Sequence, residues 1–332
     1  MTGRRRLGVN GPEILPLGLG TFSFSHAYGH ADPDESVSTL MRALELGTQL
    51  IDTADSYGAG ENESWLGRVL QNHRQDVVLC TKIGLVWDCA GKVIGRNGRP
   101  EYILKAVDAS LRRLRTESLD VCILHRADPD VPIEETVGAL AQAAHLGKVR
   151  LLGLSEVDKD QLLRANAVHP IAVLQSEYSL WTRDPEMELI PLCQELGIAF
   201  TAFSPLGRGM FTDAASAWTL EADFRASLPR FQPGNFEKNL MLAQQLADFA
   251  ARKGYSPSQI ALAWVLHAGN HVFAIPGTRS RRHLEENMRS VEVQLDSADL
   301  AELDRMFSPG AVAGERYSQS SIFNPARLQG SI

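Results

Sequence analysis

Short apolar runs alternate with amphipathic segments along nearly the whole chain. Runs that stay apolar, without alternating polar residues, are typical of parallel strands whose two faces are both covered. Eight runs have this character, and they cover residues 17–20, 50–52, 77–82, 121–125, 151–155, 173–175, 198–203 and 273–276. The pattern therefore predicts a parallel sheet with helices between its strands.

The segments between these runs repeat apolar residues at helical spacing. Residues 37–44 place them on one face, and Gly47 follows at a position suited to a left-handed helix end. Comparable signals predict a helix from Pro132 to near Gly147 and another over residues 184–196 that ends at Gly197.

Eight strand–helix units in 332 residues match the usual size of a (β/α)₈ TIM barrel. We predict one α/β domain over residues 1–332, with an N-terminal β-hairpin and a C-terminal helix and tail. The Asn10-Gly11 pair predicts the hairpin, which we place outside the barrel at its floor. A doubly wound open sheet is the alternative, but Gly18-Leu19-Gly20 lacks the third glycine of the nucleotide-binding turn of that fold.

Five of the apolar runs end in a polar residue: Asp52, Lys82, His125, Ser155 and Gln175. In a barrel these strand ends converge at one mouth, where the active sites of this fold lie. Singly, Asp52 is explained as a helix cap, Lys82 as a surface lysine and His125 as a satisfied core histidine. Five polar residues at equivalent positions are harder to explain in that way, so we interpret the set as a functional site.

Tyr57 lies one short loop beyond Asp52, close enough to bend back over the mouth. The pKa of a free tyrosine is about 10, too high for efficient proton transfer near neutrality. We expect the ammonium of Lys82 to lower the Tyr57 pKa, and Asp52 to hold that lysine in place and protonated. His125 can donate a hydrogen bond to a carbonyl oxygen or relay a proton to Tyr57. A phenol acid and a second donor aimed at one oxygen suit carbonyl reduction, in which negative charge develops on that oxygen.

Four motifs, in this order and at family-like spacing, resemble the aldo-keto reductase family. They are DTADSYG at 52–58, TKIG at 81–84, LH at 124–125 and IPGT at 275–278, and the resemblance runs from about residue 15 to 287. It implies a barrel that transfers a hydride from a reduced nicotinamide to the carbonyl of an aldehyde, ketone or sugar without a metal, or reversibly oxidises the alcohol. Asp52, Tyr57, Lys82 and His125 match the catalytic tetrad of the family, with Tyr57 as general acid and base.

The resemblance also implies a dinucleotide that lies across the barrel mouth. Ser155 and Gln175 would bond the nicotinamide carboxamide, and Phe203, where many members have tyrosine, would stack on the ring. Residues 204–209 would wrap the pyrophosphate, although an ordinary strand-to-loop exit explains that segment as well. The full set expected to contact the cofactor is Gly20, Thr21, Ser155, Gln175, Phe203, Ser204, Pro205, Leu206, Gly207, Arg208, Gly209, Ile275, Gly277, Thr278, Arg279, Glu286 and Asn287.

Residues 277–287 match the adenosine end of that cofactor site. The best-known members carry a lysine where this chain has Gly277 and an arginine where it has His283, and both usually grip the 2′-phosphate. Thr278 and Arg279 can replace them, with two further arginines nearby, because the planar donor fork of arginine suits phosphate. The prediction is NADPH, with NADH as a possible cofactor, and a basic, solvated helix turn is the structural alternative.

Charge and composition argue against several partners. A net charge of −7 and a pI near 5.7 argue against nucleic-acid binding. No apolar run is long enough to cross a bilayer, and the basic residues 1–6 are not followed by the apolar segment of a secretory signal. The four cysteines are scattered without a Cys-x-x-Cys pair, so neither disulfides nor a metal site is predicted and a reducing cytoplasm fits best. The oligomeric state is left open.

Three other functions compete with carbonyl reduction. A metal-dependent barrel hydrolase needs several converging ligands, whereas His26 and His30 lie in a Gly-rich loop and no strand ends in His-x-His. A regulatory cofactor-binding subunit of the same fold is the second, since some relatives act as potassium-channel β subunits. Those relatives tend to carry an N-terminal extension, which we do not expect here, and the intact tetrad favours turnover. The third is the dehydrogenase direction, which the same residues serve.

The substrate is expected to be a small carbonyl compound or alcohol, held by the loops that follow the strands. We expect its pocket walls to come from residues 22–28, Trp87, Arg126, Asp128 and the insertion over 218–236. Phe24, Trp87 and Trp218 are explained equally well as packing residues. In the polar tail after Ser308, Tyr317 and Phe323 are the candidate anchors.

Overall fold

Eight parallel strands close into a barrel at the centre of the molecule. The computed structural model describes residues 3–25, 28–29, 31–213, 215 and 223–324. Its strands are β1 (Arg5–Arg6), β2 (Glu13–Ile14), β3 (Leu19–Gly20), β4 (Leu50–Asp52), β5 (Val78–Ile83), β6 (Leu85–Trp87), β7 (Val93–Arg96), β8 (Leu119–Leu124), β9 (Val149–Ser155), β10 (Ile171–Glu177), β11 (Ala199–Phe203) and β12 (Val272–Ala274). The barrel strands pair in the order β3-β4-β5-β8-β9-β10-β11-β12.

Two parallel bridges join the edges of this sheet, one between Leu17 and Ala274 and the other between Gly20 and Gly277. A closed sheet has no free edge strand, so the open doubly wound alternative is wrong and the predicted (β/α)₈ barrel is confirmed. Each predicted run corresponds to one barrel strand, with ends that differ from the prediction by a few residues.

Helices cover the outside of the barrel and follow its strands along the chain. They are α1 (Pro33–Glu45), α2 (Glu61–Val69), α3 (Pro100–Leu114), α4 (Ile133–His145), α5 (Lys159–Val168), α6 (Leu189–Leu196), α7 (Asn235–Lys253), α8 (Pro257–His267), α9 (Arg281–Met288) and α10 (Ser297–Met306). Among the described residues, none of these helices combines the length and the apolar character that crossing a membrane requires.

The predicted helix over residues 184–196 is two elements. A single 3₁₀ turn covers Asp184–Glu186, and α6 begins only at Leu189. Pro191 explains the break, because proline has no amide hydrogen to donate and its ring clashes with the carbonyl four residues earlier. It is tolerated in the first turn of α6, where amides have no partner within the helix.

The interior of the barrel is built by alternation along its strands. Val121 and Ile123 of β8 and Val78 and Cys80 of β5 lie in one inward-facing apolar cluster. The residues between them, such as Cys122, belong instead to the larger cluster between strands and helices. Because successive side chains point to opposite faces, every second residue toward the end of each strand continues into the barrel mouth.

The N-terminal hairpin closes the floor of the barrel. Strands β1 and β2 pair antiparallel, and Leu7 and Ile14 are fully buried in the inward-facing cluster. The predicted hairpin is confirmed, and both Gly8 and Gly11 shape it, since a Cβ on Gly11 would lie 1.8 Å from the carbonyl oxygen of Leu7. Gly8 has a φ of +77°, and a Cβ there would lie 2.4 Å from the carbonyl oxygen of Ala172 in β10. Only glycine fits this close approach.

Truncation of Leu7 tests the importance of the floor. Leu7→Ala is expected to lower the free energy of unfolding by about 2–5 kcal/mol, because the cavity it leaves lies in the barrel interior. Val9→Ala is the matched control in the same hairpin, since Val9 is 61% exposed and its loss is expected to cost under about 0.5 kcal/mol. Urea unfolding of both variants measures the difference. Equal losses would contradict the assignment of the hairpin as part of the core.

Candidate active site

Strand alternation carries the predicted polar residues into the mouth. Lys82 follows Val78 and Cys80 on the inward face of β5, and His125 follows Val121 and Ile123 one residue beyond the end of β8. Asp52, Ser155 and Gln175 reach the same region from β4, β9 and β10. All five line one cavity of about 470 Å³, together with Tyr57. The predicted convergence of strand ends is therefore present in the structure.

Lys82 is the centre of this cluster. Its Nζ donates to Asp52 Oδ1 at 2.5 Å, to the backbone carbonyl of Thr53 at 2.8 Å and to the hydroxyl of Tyr57 at 3.0 Å. Gln175 donates its Nε2 to the other carboxylate oxygen of Asp52 at 2.8 Å. Every oxygen of the carboxylate and every hydrogen of the ammonium thus has a partner, as a buried ion pair requires.

Lys82 keeps its charge although its side chain is only 2% exposed. Burial by itself lowers the pKa of a lysine, because it disfavours the charged form. The negative charge of Asp52 is the main influence that opposes burial, and the pKa of Lys82 is raised above its ordinary value. The expectation that Asp52 keeps the ammonium protonated agrees with this balance.

The pKa of Tyr57 departs from expectation. Burial raises it, and the opposing influence of Lys82 is smaller, so the net pKa lies above the ordinary value for tyrosine. The expected lowering is therefore wrong in its net direction, because the desolvation of the phenolate outweighs one neighbouring ammonium that Asp52 partly neutralises. The consequence is a phenol that holds its proton and has an ammonium 3.0 Å from its oxygen.

His125 is a neutral imidazole in this setting. Burial is the main cause, and the positive charges of Arg126 and Lys82 add to it, so the pKa of His125 lies well below its usual range. Its Nδ1 lies 3.4 Å from the hydroxyl of Ser56, and its ring meets that of Tyr57 edge to face, with centroids 6.1 Å apart. A neutral imidazole still carries one N–H, so it can donate to an oxygen placed beside Tyr57.

The loop that carries Tyr57 is fixed on both sides. The amide of Asp55 donates to the carbonyl of Lys82 at 2.9 Å, which ties the loop to β5. Beyond Tyr57, Gly58, Ala59 and Gly60 all have left-handed φ angles, and this is strained for Ala59. The turn brings the phenol back over the mouth instead of letting it follow the chain into α2.

Asn62, in the first turn of α2, anchors this loop. It donates to the carbonyl of Thr21 at 2.9 Å and accepts from the hydroxyls of Thr21 at 2.8 Å and Thr53 at 2.7 Å. Thr21 was predicted to contact the cofactor, but it is buried in these bonds and lies outside the cavity lining.

Most residues predicted to contact the cofactor line the cavity. They are Gly20, Ser155, Gln175, Phe203, Ser204, Pro205, Leu206, Arg208, Gly209, Ile275, Gly277, Thr278 and Arg279. Gly207 is buried against Trp181 and Phe211. Glu286 accepts a hydrogen bond from Ser256 at 2.6 Å, and Asn287 is buried beside it in α9.

The segment over residues 204–209 turns sharply along the cavity wall. Ser204, Gly207, Arg208 and Gly209 have φ values of 50°, 57°, 57° and 91°, all in the left-handed region. Such turns present backbone amides in a concave arrangement that suits anions. The amides of Gly207 and Gly209 donate within the turn, to the carbonyls of Ser204 and Leu206 at 2.9 Å each, so contact of this segment with the pyrophosphate stays a prediction.

The rim near α9 carries the basic residues expected at the adenosine end. Arg279 donates to the backbone carbonyls of Tyr28 at 2.8 Å and Gly29 at 2.9 Å and still lines the cavity. Arg281 instead pairs with Glu35 at 3.0 Å, and Arg282 is exposed beside His283. Of these arginines, Arg279 is the one that reaches the cavity.

The C-terminal tail is held over the mouth by a buried ion cluster that the sequence did not reveal. Glu177, at the end of β10, pairs with Arg208 at 2.9 Å and with Arg316 of the tail at 3.5 Å. Arg316 also pairs with Glu156 at 2.7 Å, and Arg208 donates to the hydroxyl of Tyr317 at 2.8 Å. Glu156 directly follows Ser155, and Glu177 lies two residues beyond Gln175, so both glutamates are at strand ends. Their partners are too distant along the chain to be inferred from the sequence.

Only some of the residues predicted to form the walls of the substrate pocket line the cavity. Phe22, Tyr28, Arg126 and the tail residues Tyr317 and Phe323 line the cavity. By contrast, three side chains named as possible walls lie outside its lining, namely Phe24, Trp87 and Asp128.

Each of those three has a structural explanation. Phe24 packs edge to face on Trp65 at 5.2 Å, and Asp128 accepts from the amides of Gly98 and Asp130. Trp87 ends β6, whose antiparallel partner β7 supplies Val93 to the wall instead. Trp218, His26 and His30 lie outside the described residues. Within the described ranges, no three His, Cys, Asp or Glu side chains are grouped to hold a metal ion.

The residues of the cavity fit a nicotinamide dinucleotide. The aromatic face of Phe203, the hydroxyl of Ser155 and the amide of Gln175 line the cavity, and so do residues of the turn over 204–209 and Arg279. A Cβ on Gly277 would lie 3.1 Å from the carbonyl oxygen of Gly20, so the wall between them stays free of side chains. The volume falls in the usual range of cofactor and ligand sites, about 300–1,000 Å³.

Comparison with known proteins identifies the family. The model of the Aldo/keto reductase family matches residues 16–307. A glycerol dehydrogenase from Gluconobacter oxydans is 31% identical, with a TM-score of 0.83 over 92% of this chain and 94% of that one. An aldo-keto reductase from Bacillus halodurans in its holo form is 27% identical, with a TM-score of 0.77 over 96% and 99% of the two chains.

A third structure, an aldo-keto reductase from Klebsiella pneumoniae in complex with NADP and acetate, is 26% identical. Its TM-score is 0.72 over 95% of this chain and 99% of that one. The chain belongs to the aldo/keto reductase family, whose members are oxidoreductases.

Glu177→Gln tests the ion cluster that holds the tail. Burial alone would raise the pKa of Glu177, but Arg316, Arg208 and Arg230 lower it to about 2. At neutral pH the substitution leaves buried arginines without their counter-charge, and we expect a loss of about 3–5 kcal/mol in the free energy of unfolding. Glu195→Gln, at an exposed position of α6, is the matched control.

The pH dependence of this loss follows from the lowered pKa. The stabilisation by Glu177 is complete above the unfolded pKa of about 4.3 and is lost as pH falls toward 2. Urea unfolding at several pH values should therefore show the gap between wild type and Glu177→Gln shrinking on acidification below about pH 4. A gap that is absent at neutral pH would contradict the role of the cluster.

Proposed function

We propose that this chain is an NADPH-dependent carbonyl reductase in which Tyr57 donates the proton to the carbonyl oxygen. The observation that carries the proposal is the chain of contacts from Asp52 to Lys82, at 2.5 Å, and from Lys82 to the hydroxyl of Tyr57, at 3.0 Å. This series of contacts ends at a cavity whose residues fit a nicotinamide cofactor. A reduced nicotinamide bound there supplies the hydride for the carbonyl carbon.

The raised pKa of Tyr57 suits a proton donor. The phenol is protonated at neutral pH and gives up its proton only when negative charge develops on the carbonyl oxygen beside it. Lys82 then stabilises the phenolate that remains, because its ammonium already lies at hydrogen-bonding distance. The product is the alcohol, and solvent returns a proton to Tyr57 before the next turnover.

His125 and Asp52 have supporting roles. The neutral imidazole of His125 donates its N–H to the same carbonyl oxygen, so two donors share the developing charge. Asp52 holds Lys82 protonated and correctly placed, with Gln175 fixing its second oxygen. Because these groups are buried, their dipoles and charges act more strongly than they would in water.

The same residues serve alcohol oxidation, with Tyr57 as the base. The glycerol dehydrogenase from Gluconobacter oxydans, at 31% identity, makes polyol oxidation the second candidate function. A small carbonyl compound or its alcohol is the substrate in either direction. A regulatory subunit that binds cofactor without turnover is the remaining alternative.

Tyr57→Phe is the direct test of the proton donor. Loss of a positioned general acid should lower kcat about 10²–10⁴-fold, while the affinity for cofactor changes little. Tyr255→Phe, at a partly exposed position remote in sequence, is the matched control and should leave both unchanged. Rates follow nicotinamide oxidation with a panel of aldehydes, ketones and sugars. A Tyr57→Phe variant that keeps most of its activity contradicts the role, and a wild type that binds cofactor but reduces no carbonyl supports the regulatory alternative.

The preference for NADPH is tested by cofactor titration. Arg279 at the cavity rim supports it, and so does the Klebsiella pneumoniae relative, which was solved with NADP. We expect NADPH to bind at least about 10-fold more tightly than NADH, since a hydrogen-bonded charge pair accounts for that difference. Arg279→Met should remove most of it, whereas Arg305→Met on exposed α10 should not. Equal fluorescence titration curves for the two cofactors in the wild type would contradict the assignment.

A further inference from the structure

Arg126 occupies an unusual position in the cavity wall. It follows His125 directly, just beyond the end of β8, and it lines the cavity although only 4% of it is exposed. Its Nη1 donates to the backbone carbonyl of His125 at 2.6 Å and to the hydroxyl of Ser155 at 3.1 Å. These bonds hold the guanidinium between the tetrad and the predicted carboxamide site.

The hydrogen bonds of Arg126 are incomplete. Its Nε is buried and has no hydrogen-bond partner. No carboxylate of the described residues forms an ion pair with it, whereas two other arginines of the same wall have one. Arg208 pairs with Glu177 at 2.9 Å, and Arg225 pairs with Asp223 at 2.6 Å.

Two acids close in sequence to Arg126 or to its hydrogen-bond partner Ser155 are both engaged elsewhere. Asp128 accepts from the amides of Gly98 and Asp130. Glu156, which follows Ser155, accepts from the amide of Glu177 and pairs with Arg316. The charge of Arg126 therefore acts on the cavity itself, and it is one of the causes that lower the pKa of His125.

The groups beside Arg126 do not offset its charge. Lys82 is neutralised by Asp52, and His125 is neutral, so Arg126 leaves a net positive charge beside the groups that bind the carbonyl oxygen. Its guanidinium carbon lies 6.0 Å from the centroid of Phe203, a contact that orients the plane without neutralising the charge. A buried cation with unused donors favours an anion that enters the cavity, and the guanidinium fork matches a carboxylate or phosphate.

We propose that Arg126 is a substrate-binding residue that selects carbonyl compounds carrying an anionic oxygen group, a carboxylate or a phosphate monoester, over neutral ones. This inference rests on the proposed carbonyl reductase function. The anionic group lies on the Arg126 side of the carbonyl, while the carbonyl oxygen lies between Tyr57 and His125. The guanidinium thereby sets the orientation of the substrate as well as its affinity.

Matched substrate pairs test this selection with NADPH. For the carboxylate the pair is 4-carboxybenzaldehyde and its methyl ester, and for the phosphate it is glyceraldehyde 3-phosphate and glyceraldehyde. Wild type should favour the charged member of at least one pair in kcat/KM, and the pair that shows the preference identifies the anionic group. Arg126→Met should lower kcat/KM for that member about 10- to 100-fold and for the neutral member under about 3-fold, as expected for one charged hydrogen-bonded contact.

Two further variants separate charge from fold. Arg126→Lys keeps the charge but loses the planar fork, so it should recover part of the selectivity. Arg305→Met removes an arginine from exposed α10 and should leave the ratio unchanged. Thermal unfolding of each variant identifies any loss of activity that comes from loss of fold, and the ratio of the two substrates is unaffected by the fraction of folded enzyme.

A binding measurement keeps the inference testable without turnover. Calorimetric titration of benzoate and benzamide into the NADP-saturated protein should show tighter binding of benzoate to wild type and no preference in Arg126→Met. Equal losses for charged and neutral substrates, or a weaker affinity for NADPH with an unchanged ratio, would overturn the proposal and assign Arg126 to the support of Ser155 or to the cofactor. If wild type reduces no carbonyl at all, the proposed function fails, and the benzoate titration still decides the role of Arg126.

Discussion

The buried ion pair between Lys82 and Asp52 is the interaction on which the rest of the site depends. Removing two charges from water costs several kcal/mol for each, and the cost is recovered only when every donor and acceptor is satisfied. That requirement brings together Thr53 and the phenol of Tyr57 around the ammonium and Gln175 around the carboxylate. Three strands, β4, β5 and β10, must therefore end at matching heights around the mouth. The closed barrel is the architecture that keeps them there.

The part of the site that the sequence predicts correctly is the part that local alternation determines. Once a run is identified as a buried strand, its period of two decides which residues face inward, and the last inward residue reaches the mouth. Lys82 and His125 follow this rule on β5 and just beyond β8. The fold follows from the same runs, because eight of them with helices between them fit a closed barrel. Errors at the strand ends do not disturb this inference, since the inward face is unchanged.

What the sequence does not predict depends on balances and on distant contacts. The pKa of Tyr57 is set by burial against the charge of one lysine, and only coordinates give the relative size of the two effects. The tail is held by Glu177 and Arg316, 139 residues apart, with no pattern that pairs them. Arg126 differs from the other wall residues because Asp128 and Glu156 are engaged elsewhere. To predict such features, one must know the partners of each buried charge, and no local sequence pattern encodes them.

The hairpin that closes the floor makes the two ends of the barrel unequal as places to attach a linker or a support. Arg5 fastens β1 to the backbone carbonyls of Leu266, Gly269 and Val272, far from the mouth. A linker joined ahead of this hairpin would point a support or fusion partner away from the cavity. A linker on the other end would extend from a tail whose Tyr317 and Phe323 form part of the cavity wall. Immobilisation through the floor therefore leaves the path of small molecules clear.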